Sequence, residues 1–268
     1  MIMRKIFFIS LALVCAFVAK AKEPTILIPG GSKLVEVAPA EKDFSKGGLR
    51  IREYAQDCPV AVFANVATTV KLDTVHVFEL PIKHYMSDIR WFCGAFFYAD
   101  GSKIGRCWNN GTDLTLLDAG APVTTILPAM DGILYSTEKS LVFCDYANKD
   151  GHILHESKGN IILANYYAGY IFFADGKDVY IISGNEKVKI YSDKRQIKAM
   201  AVHPDGAIFL CTDKGTFMLN NDYQRLQLSK ESAAAIEVIG DDLFLTFTDG
   251  RCVMVENCSE YKKQLPKK

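Results

Sequence analysis

The chain has 268 residues, with 31 basic and 31 acidic side chains and five histidines. A balance this close to neutral leaves no electrostatic footprint for nucleic acid or anionic lipid. With 49% hydrophobic residues the chain can bury a large core, which excludes an extended disordered segment as its main state. No catalytic motif stands out, so composition bounds the shape more tightly than the activity.

The first element reads as an export signal. Arg4 and Lys5 form a short basic start, residues 6–18 are apolar, and Ala19-Lys20-Ala21 is a small-x-small cleavage pattern. The apolar run is about 13 residues, short of the ~20 that cross a bilayer. Residues 1–21 are therefore expected to be removed, leaving a chain from Lys22 in the periplasm or outside the cell of a Gram-negative bacterium. Val14 before Cys15 fits a lipid-attachment signal poorly, so Cys15 belongs to the discarded core. Loss of Arg4, Lys5 and Lys20 takes 31 basic side chains to 28 against 31 acidic ones. The lysine pairs 262–263 and 267–268 read as a solvated tail.

Residues 25–28, 34–37, 60–63 and 75–78 are short β-rich runs, and 38–48 reads as a surface loop. From residue 88 onward the pattern becomes periodic. The segments beginning at Gly94, Gly132, Gly169, Gly206 and Asp242 start 38, 37, 37 and 36 residues apart. Each couples a turn to a β-rich run, then a second turn to a second run. Four runs occupy each period: 89–93, 95–99, 103–108 and 114–117, then 124–127, 133–136, 141–145 and 152–156. The third period holds 161–165, 170–174, 179–182 and 187–191, and the fourth holds 198–202, 207–212, 216–219 and 223–228. The last has only 235–239, 243–247 and 251–255 before a charged stretch at 260–264. Asp100-Gly101, Asp175-Gly176 and Gly184-Asn185 supply hairpin turns. In the fourth period the first three runs are almost wholly apolar, as in sheets packed on both faces. The fourth alternates, as at a solvated edge.

Strand quartets at this spacing predict an all-β, single-domain β-propeller over 22–268, with six blades and seven as the next count. Five blades fill about 88–265, and 25–82 holds one or two degraded repeats. The run at 25–28 is placed to complete the last blade. The core Pro-Asp-Gly-x-Ile-Phe-Leu-x-Thr-Asp-x-Gly, running from Pro204 to Gly215, resembles repeats of exported sensor propellers of the two-component-regulator type. It also looks like NHL and gluconolactonase-type propellers. WD40 proteins are less similar, since neither the Trp-Asp nor the Gly-His signature marks the blade ends. The gluconolactonase resemblance implies a divalent cation held by Glu, Asn and Asp on inner strands; here it finds only Glu237, with Asn165 as a companion at a strand end.

Seven cysteines follow Cys15. Cys144 and Cys211 sit in apolar runs and read as buried thiols. Cys252 with Cys258, and Cys93 with Cys107, are the candidate disulfides of an oxidising compartment. The absence of any Cys-x-x-Cys excludes the familiar zinc and redox motifs, and no metal or cofactor is expected. His152 and His155 lie three apart on a strand and so face opposite ways. His203 opens a turn, His76 is a solvent-side strand residue, and His84 has no visible partner. Gly30-Gly31-Ser32-Lys33 is a hairpin turn rather than a phosphate loop, since no helix follows.

Aromatic residues are the better lead. Trp91, Trp108, Tyr146, Tyr166, Tyr167 and Tyr170 lie at strand ends or turns, where propellers present their binding face. Trp108, Tyr166, Tyr167 and Trp91 are the candidate ligand-binding residues. The expected role is non-catalytic recognition of a protein or carbohydrate partner in the cell envelope. The alternative is a lactonase-like hydrolase or lyase acting on a small sugar derivative.

Overall fold

Among the described residues, twenty-four strands fall into six sheets of four. The structure is a computed structural model that describes residues 26–30, 32–38, 50–55, 58–63, 66–70, 75–78, 87–108, 112–157, 159–167, 169–249 and 251–265. The signal-peptide reading of residues 1–21, the loop at 38–48 from residue 39 onward, and His84 lie outside them. Sheet 1 contains β2 (Arg50–Ala55), β3 (Cys58–Phe63), β4 (Val66–Val70) and β5 (Val75–Phe78). Sheet 2 contains β6 (Asp88–Phe92), β7 (Ala95–Asp100), β8 (Lys103–Cys107) and β9 (Asp113–Asp118). Sheet 3 contains β10 (Val123–Pro128), β11 (Gly132–Thr137), β12 (Ser140–Asp145) and β13 (Gly151–Glu156). Sheet 4 contains β14 (Ile161–Tyr167), β15 (Tyr170–Asp175), β16 (Asp178–Ser183) and β17 (Glu186–Ser192). Sheet 5 contains β18 (Ala199–Val202), β19 (Ile208–Thr212), β20 (Gly215–Leu219) and β21 (Arg225–Ser229).

Sheet 6 is composite. It joins β22 (Ala235–Ile239), β23 (Asp242–Thr246) and β24 (Cys252–Val255) to β1 (Leu34–Ala38), which pairs antiparallel with β24 from Leu34 opposite Val255 to Ala38 opposite Cys252. The first strands of successive sheets touch, from β2 to β6, β10, β14, β18 and β22, and β22 touches β2 again. The sheets therefore form a closed ring of six blades.

The expected strand at 25–28 is not the one that closes the ring. Ile26 makes a bridge to Ser229 on the outer strand of sheet 5, and Leu27 N–H donates to the Leu228 carbonyl at 2.7 Å. Both stretches are apolar, and hydropathy does not say which one finds the open edge of β24. A turn decides it: Ser32 N–H donates to the Pro29 carbonyl at 3.1 Å and swings the chain from sheet 5 to sheet 6. The same turn accounts for the glycine-rich stretch at 30–33, which leads into β1.

Burial follows the radial order. All five residues of β19 and of β20 are buried, as are all six of β11, whereas the outer strands β9, β13 and β17 are mostly exposed. The core lies between neighbouring sheets. Phe97 and Ala99 of sheet 2 pack with Ile126 and Tyr135 of sheet 3; Leu127 and Leu134 of sheet 3 pack with Leu163 and Phe173 of sheet 4. One glycine is obligatory for its backbone. Gly215 has φ +124°, and a Cβ there would stand 2.1 Å from the Ser229 carbonyl oxygen.

The charged stretch at 260–264 belongs to a 3-10 helix, Cys258–Gln264, instead of a fourth strand. Lys263 is exposed and Lys262 pairs with Asp205, while Tyr261 is fully buried between sheets 5 and 6 beside Phe209, ring centroids 6.2 Å apart. The Tyr261 hydroxyl donates to the Leu27 carbonyl at 2.5 Å. Replacing Tyr261 with Ala is expected to cost about 3–5 kcal/mol by opening a cavity. Tyr261→Phe loses only the hydrogen bond, about 1 kcal/mol. Thermal unfolding of the two variants checks the ordering, with a Tm loss of about 10 °C for the first.

Candidate ligand-binding site

Hairpin turns alternate between the two ends of the ring. The β6–β7 and β10–β11 turns share one end, where Cys93 Sγ lies 3.7 Å from Met130 Sδ. At the other end the Ser87 hydroxyl, just before β6, donates to the Val123 carbonyl at the start of β10 at 2.6 Å. The first end carries the aromatic candidates.

Near the axis the dominant feature is a charge pair. Arg90, buried on β6, places Nη1 2.9 Å from Glu237 Oε1 on β22, two sheets away around the ring. Its Nε donates to the Ile126 carbonyl of β10 at 3.2 Å and lies 3.9 Å from Asp88 Oδ2. Asp88 in turn accepts from the Ile126 N–H at 2.9 Å. One guanidinium thus ties the inner strands of sheets 2, 3 and 6. Glu237 is committed to Arg90, and Asn165 Nδ2 turns to the Val202 carbonyl at 3.5 Å, so these two inner-strand residues do not converge.

The aromatic candidates do not form one site either. Tyr166 and Tyr167 end β14 in sheet 4 and are 48% and 44% exposed, with Tyr170 alongside at 45%. Trp108 follows β8 in sheet 2, half-buried, with sheet 3 between it and the tyrosines. Trp91 stands on β6 opposite Phe96, and its side chain lies outside the described residues.

The Trp108 ring packs against Arg106, which lines a pocket. A cavity of about 340 Å³ opens between sheets 2 and 3. Phe97, Leu114 and Leu116 give it apolar walls, and Arg106, Tyr146, Lys149 and Asp145 give it a polar end. This volume falls in the range of small-molecule sites. The Arg106 guanidinium lies 4.3 Å from the Trp108 ring centroid and 5.5 Å from that of Phe97, a double cation–π contact. Tyr146 stacks on Phe97 with centroids 6.5 Å apart. Two buried polar atoms in this pocket, Arg106 Nε and Tyr146 Oη, have no hydrogen-bond partner, and Arg106 forms no ion pair among the described residues. Burial pushes the Tyr146 phenol up to about 12, the Arg106 charge opposing it. At neutral pH the pocket therefore offers a fixed cation and a neutral O–H donor above an apolar floor, while the Asp145 carboxylate in its lining accepts from the Ala147 and Asn148 N–H groups.

Sequence reasoning named Trp108 and Tyr146 but missed Arg106. Its signal was an arginine between Gly105 and Cys107 in a run otherwise reading as buried strand.

The six cysteines whose side chains are described, Cys93, Cys107, Cys144, Cys211, Cys252 and Cys258, are all free thiols, which corrects both expected disulfides. Cys252 lies opposite Thr246 at one end of β23, while Cys258 bonds Asp241 beyond the other end. An extended strand separates them, beyond the ~7 Å Cα span of a disulfide. Cys93 sits on the β6–β7 turn with Sγ toward Met130, whereas Cys107 lies across β7, opposite Phe96. Burial pushes the thiols of Cys211 and Cys252 up to about 11 and about 12, so both are unreactive, as Cys144 is by its burial.

On β13 a bulge at Leu154 puts His152 opposite Phe143 and His155 opposite Leu141, so the two share a face, which corrects the expectation that they face opposite ways; His152 is exposed and His155 buried. His155 Nε2 lies 2.9 Å from Asp175 Oδ2 and Nδ1 2.8 Å from Lys187 Nζ, which fastens sheets 3 and 4.

No family model matches the chain, and no curated relative does. Solved structures match over most of its length. A putative gluconolactonase is 12% identical with a TM-score of 0.65, covering 86% of this chain and 93% of its own. A catalytically inactive virginiamycin B lyase from Staphylococcus aureus, solved with quinupristin, is 10% identical with a TM-score of 0.58, covering 84% and 99%. A chain of a nidogen/laminin complex is 12% identical with a TM-score of 0.60, covering 86% and 91%. The chain is thus an all-β propeller of four-stranded blades, similar in fold to gluconolactonase-like propellers. At these identities the likeness is one of architecture.

Two measurements follow from the site. Glu237→Leu leaves the Arg90 charge buried without that partner and is expected to cost about 3–5 kcal/mol, with the double variant Arg90→Met/Glu237→Leu recovering much of it. Denaturant unfolding of the three variants reads the difference. For Tyr146 the folded phenol titrates above the unfolded value of about 10. Its contribution is intact below pH ~10 and is lost as pH rises toward 12, because only the unfolded state can release the proton. Wild type should therefore lose more stability between pH 9 and 11 than Tyr146→Phe, by denaturant melts at both values.

Proposed function

We propose that this chain is an exported, non-catalytic recognition module of the cell envelope that binds an amphipathic anion in the pocket between sheets 2 and 3. The observation that carries the reading is Arg106, a half-buried cation with an orphan Nε, held over Trp108 and Phe97 at the mouth of an apolar cavity. A buried donor without an acceptor is costly, and an incoming carboxylate or sulfonate would satisfy it. Tyr146 Oη supplies a second donor, and the leucines of β9 would cover an aliphatic or aromatic tail. Export rests on the basic, apolar and small-x-small order of residues 1–21. Among the described residues no helix is long and apolar enough to cross a membrane. The exposed tyrosines 166, 167 and 170 form a separate rim suited to a protein or carbohydrate partner.

The lactonase-like or lyase alternative draws on fold neighbours of both kinds. It asks for carboxylates converging near the axis. Asp88 and Glu237 are the inner-strand carboxylates described there, and both are engaged by Arg90. Recognition is therefore the reading that the site favours.

The test uses anilinonaphthalene sulfonate and dodecanoate as anionic probes, with the fluorescence of the two tryptophans as readout. Saturable binding of one probe per chain is expected. Arg106→Met should weaken it about 10–100-fold, the worth of a charge-assisted hydrogen bond, while circular dichroism stays unchanged. Dodecanol binding as tightly as dodecanoate, or an Arg106→Met variant of undiminished affinity, would overturn the reading.

A further inference from the structure

Three groups that the pocket does not use come together at the same end of the ring, between sheets 5 and 6. His203 lies in the β18–β19 turn, Asp241 in the β22–β23 turn, and Cys258 opens the closing 3-10 helix. Their ligand atoms all lie within 4.8 Å of one another. His203 Nε2 is 3.0 Å from Asp241 Oδ1, and Cys258 Sγ is 3.9 Å from the same oxygen. Donor atoms around a tetrahedral zinc ion stand roughly 3.3–3.8 Å apart, given bond lengths of about 2.0–2.3 Å. The spacing here brackets that range.

We propose that His203 Nε2, the Asp241 carboxylate and the Cys258 thiolate form a binding site for a thiophilic divalent metal ion, zinc by preference. The decisive observation is His203. It is 8% exposed, and its Nε2 is buried with no hydrogen-bond partner. Asp241 Oδ1 is close enough to accept from Nε2, yet the approach is out of line, so the short distance is not a hydrogen bond. A buried imidazole nitrogen without a partner, within 4.8 Å of a carboxylate oxygen and a thiol sulfur, is what a metal ion uses.

The surroundings fit a metal site. His203 Nδ1 lies 2.7 Å from Asp205 Oδ1 and 3.1 Å from the Asp205 backbone nitrogen; with its proton given to the nearer carboxylate, Nε2 keeps the lone pair a metal needs, the carboxylate–histidine arrangement that orients a ligating ring. Asp205 is itself held by Lys262 Nζ at 2.7 Å. The Ser259 N–H and hydroxyl each donate to Asp241 at 2.8 Å, which fixes the carboxylate while leaving lone pairs for the ion. Cys258 is fully buried, and burial with the charges of Asp241, Asp205 and Asp242 holds its thiol well above the ordinary range. A divalent cation reverses that balance by taking up the thiolate. Sulfur, imidazole and carboxylate together favour zinc over calcium or magnesium. Asp241, with its side chain 41% exposed, leaves a fourth position open to water. No short motif marks this site, because its ligands are 38 and 17 residues apart. The proposal is independent of the pocket at Arg106.

The experiment loads the full chain with zinc, removes unbound metal by gel filtration and counts metal per chain by elemental analysis. One zinc per chain is expected, with Cys258→Ser and Asp241→Asn binding at least 10-fold more weakly and Arg106→Met binding as wild type does. Cobalt loading gives a readout that needs no variant: the wild-type protein should show a thiolate-to-cobalt charge-transfer band, lost in Cys258→Ser. Zinc no higher than in a metal-free control, cobalt binding without the thiolate band, or full zinc retention in Cys258→Ser would each overturn the proposal.

Discussion

Everything in this molecule rests on the pairing of β1 with β24. A single four-stranded sheet of this chain has two apolar faces and cannot bury both alone. Each needs a neighbour on either side, and only a closed ring supplies one to every sheet. The hydrogen bonds between Leu34–Ala38 and Cys252–Val255 turn a row of blades into that ring. Tyr261 and Ile26 then fill the seam between the last two blades, and the Tyr261–Leu27 hydrogen bond joins segments that lie far apart in sequence.

Closure also fixes where chemistry can occur. Middle strands are packed on both faces, so their side chains serve the walls. The turns and the gaps between blades carry the polar variety, and both candidate sites described above lie in such gaps. Arg90 marks the inner limit. By bonding to strands of sheets 2, 3 and 6 it draws together inner edges that their own side chains hold only by contact. Its pairing with Glu237 occupies the carboxylate that a cation-dependent propeller enzyme would need near the axis.

Much of the architecture could be read from spacing alone. The recurrence of Gly94, Gly132, Gly169, Gly206 and Asp242 locates five blades, and the apolar third run against the alternating fourth separates inner from outer strands. What spacing could not decide was which apolar stretch near residue 30 completes sheet 6, because 25–28 and 34–37 have the same β character and differ only in the turn between them. The site was less legible. Trp108 and Tyr146 were visible as aromatics at turns, but their partner Arg106 matters through what fails to pair with it, and an unpaired group has no sequence pattern. The two suggested disulfides illustrate the opposite error: Cys252 and Cys258, with five residues between them, look close in sequence, yet an extended strand carries them apart.

The composite blade has a consequence for how the protein is made. Leu34 emerges early from the ribosome, and its partner Val255 comes 221 residues later. At ordinary synthesis speeds that interval is roughly 10–45 s. Throughout it the first-made strand has nothing to bind, and the apolar faces of the end blades stay exposed. Completion is therefore a late event after translation, and a chain of this design is exposed to aggregation until its last strand arrives.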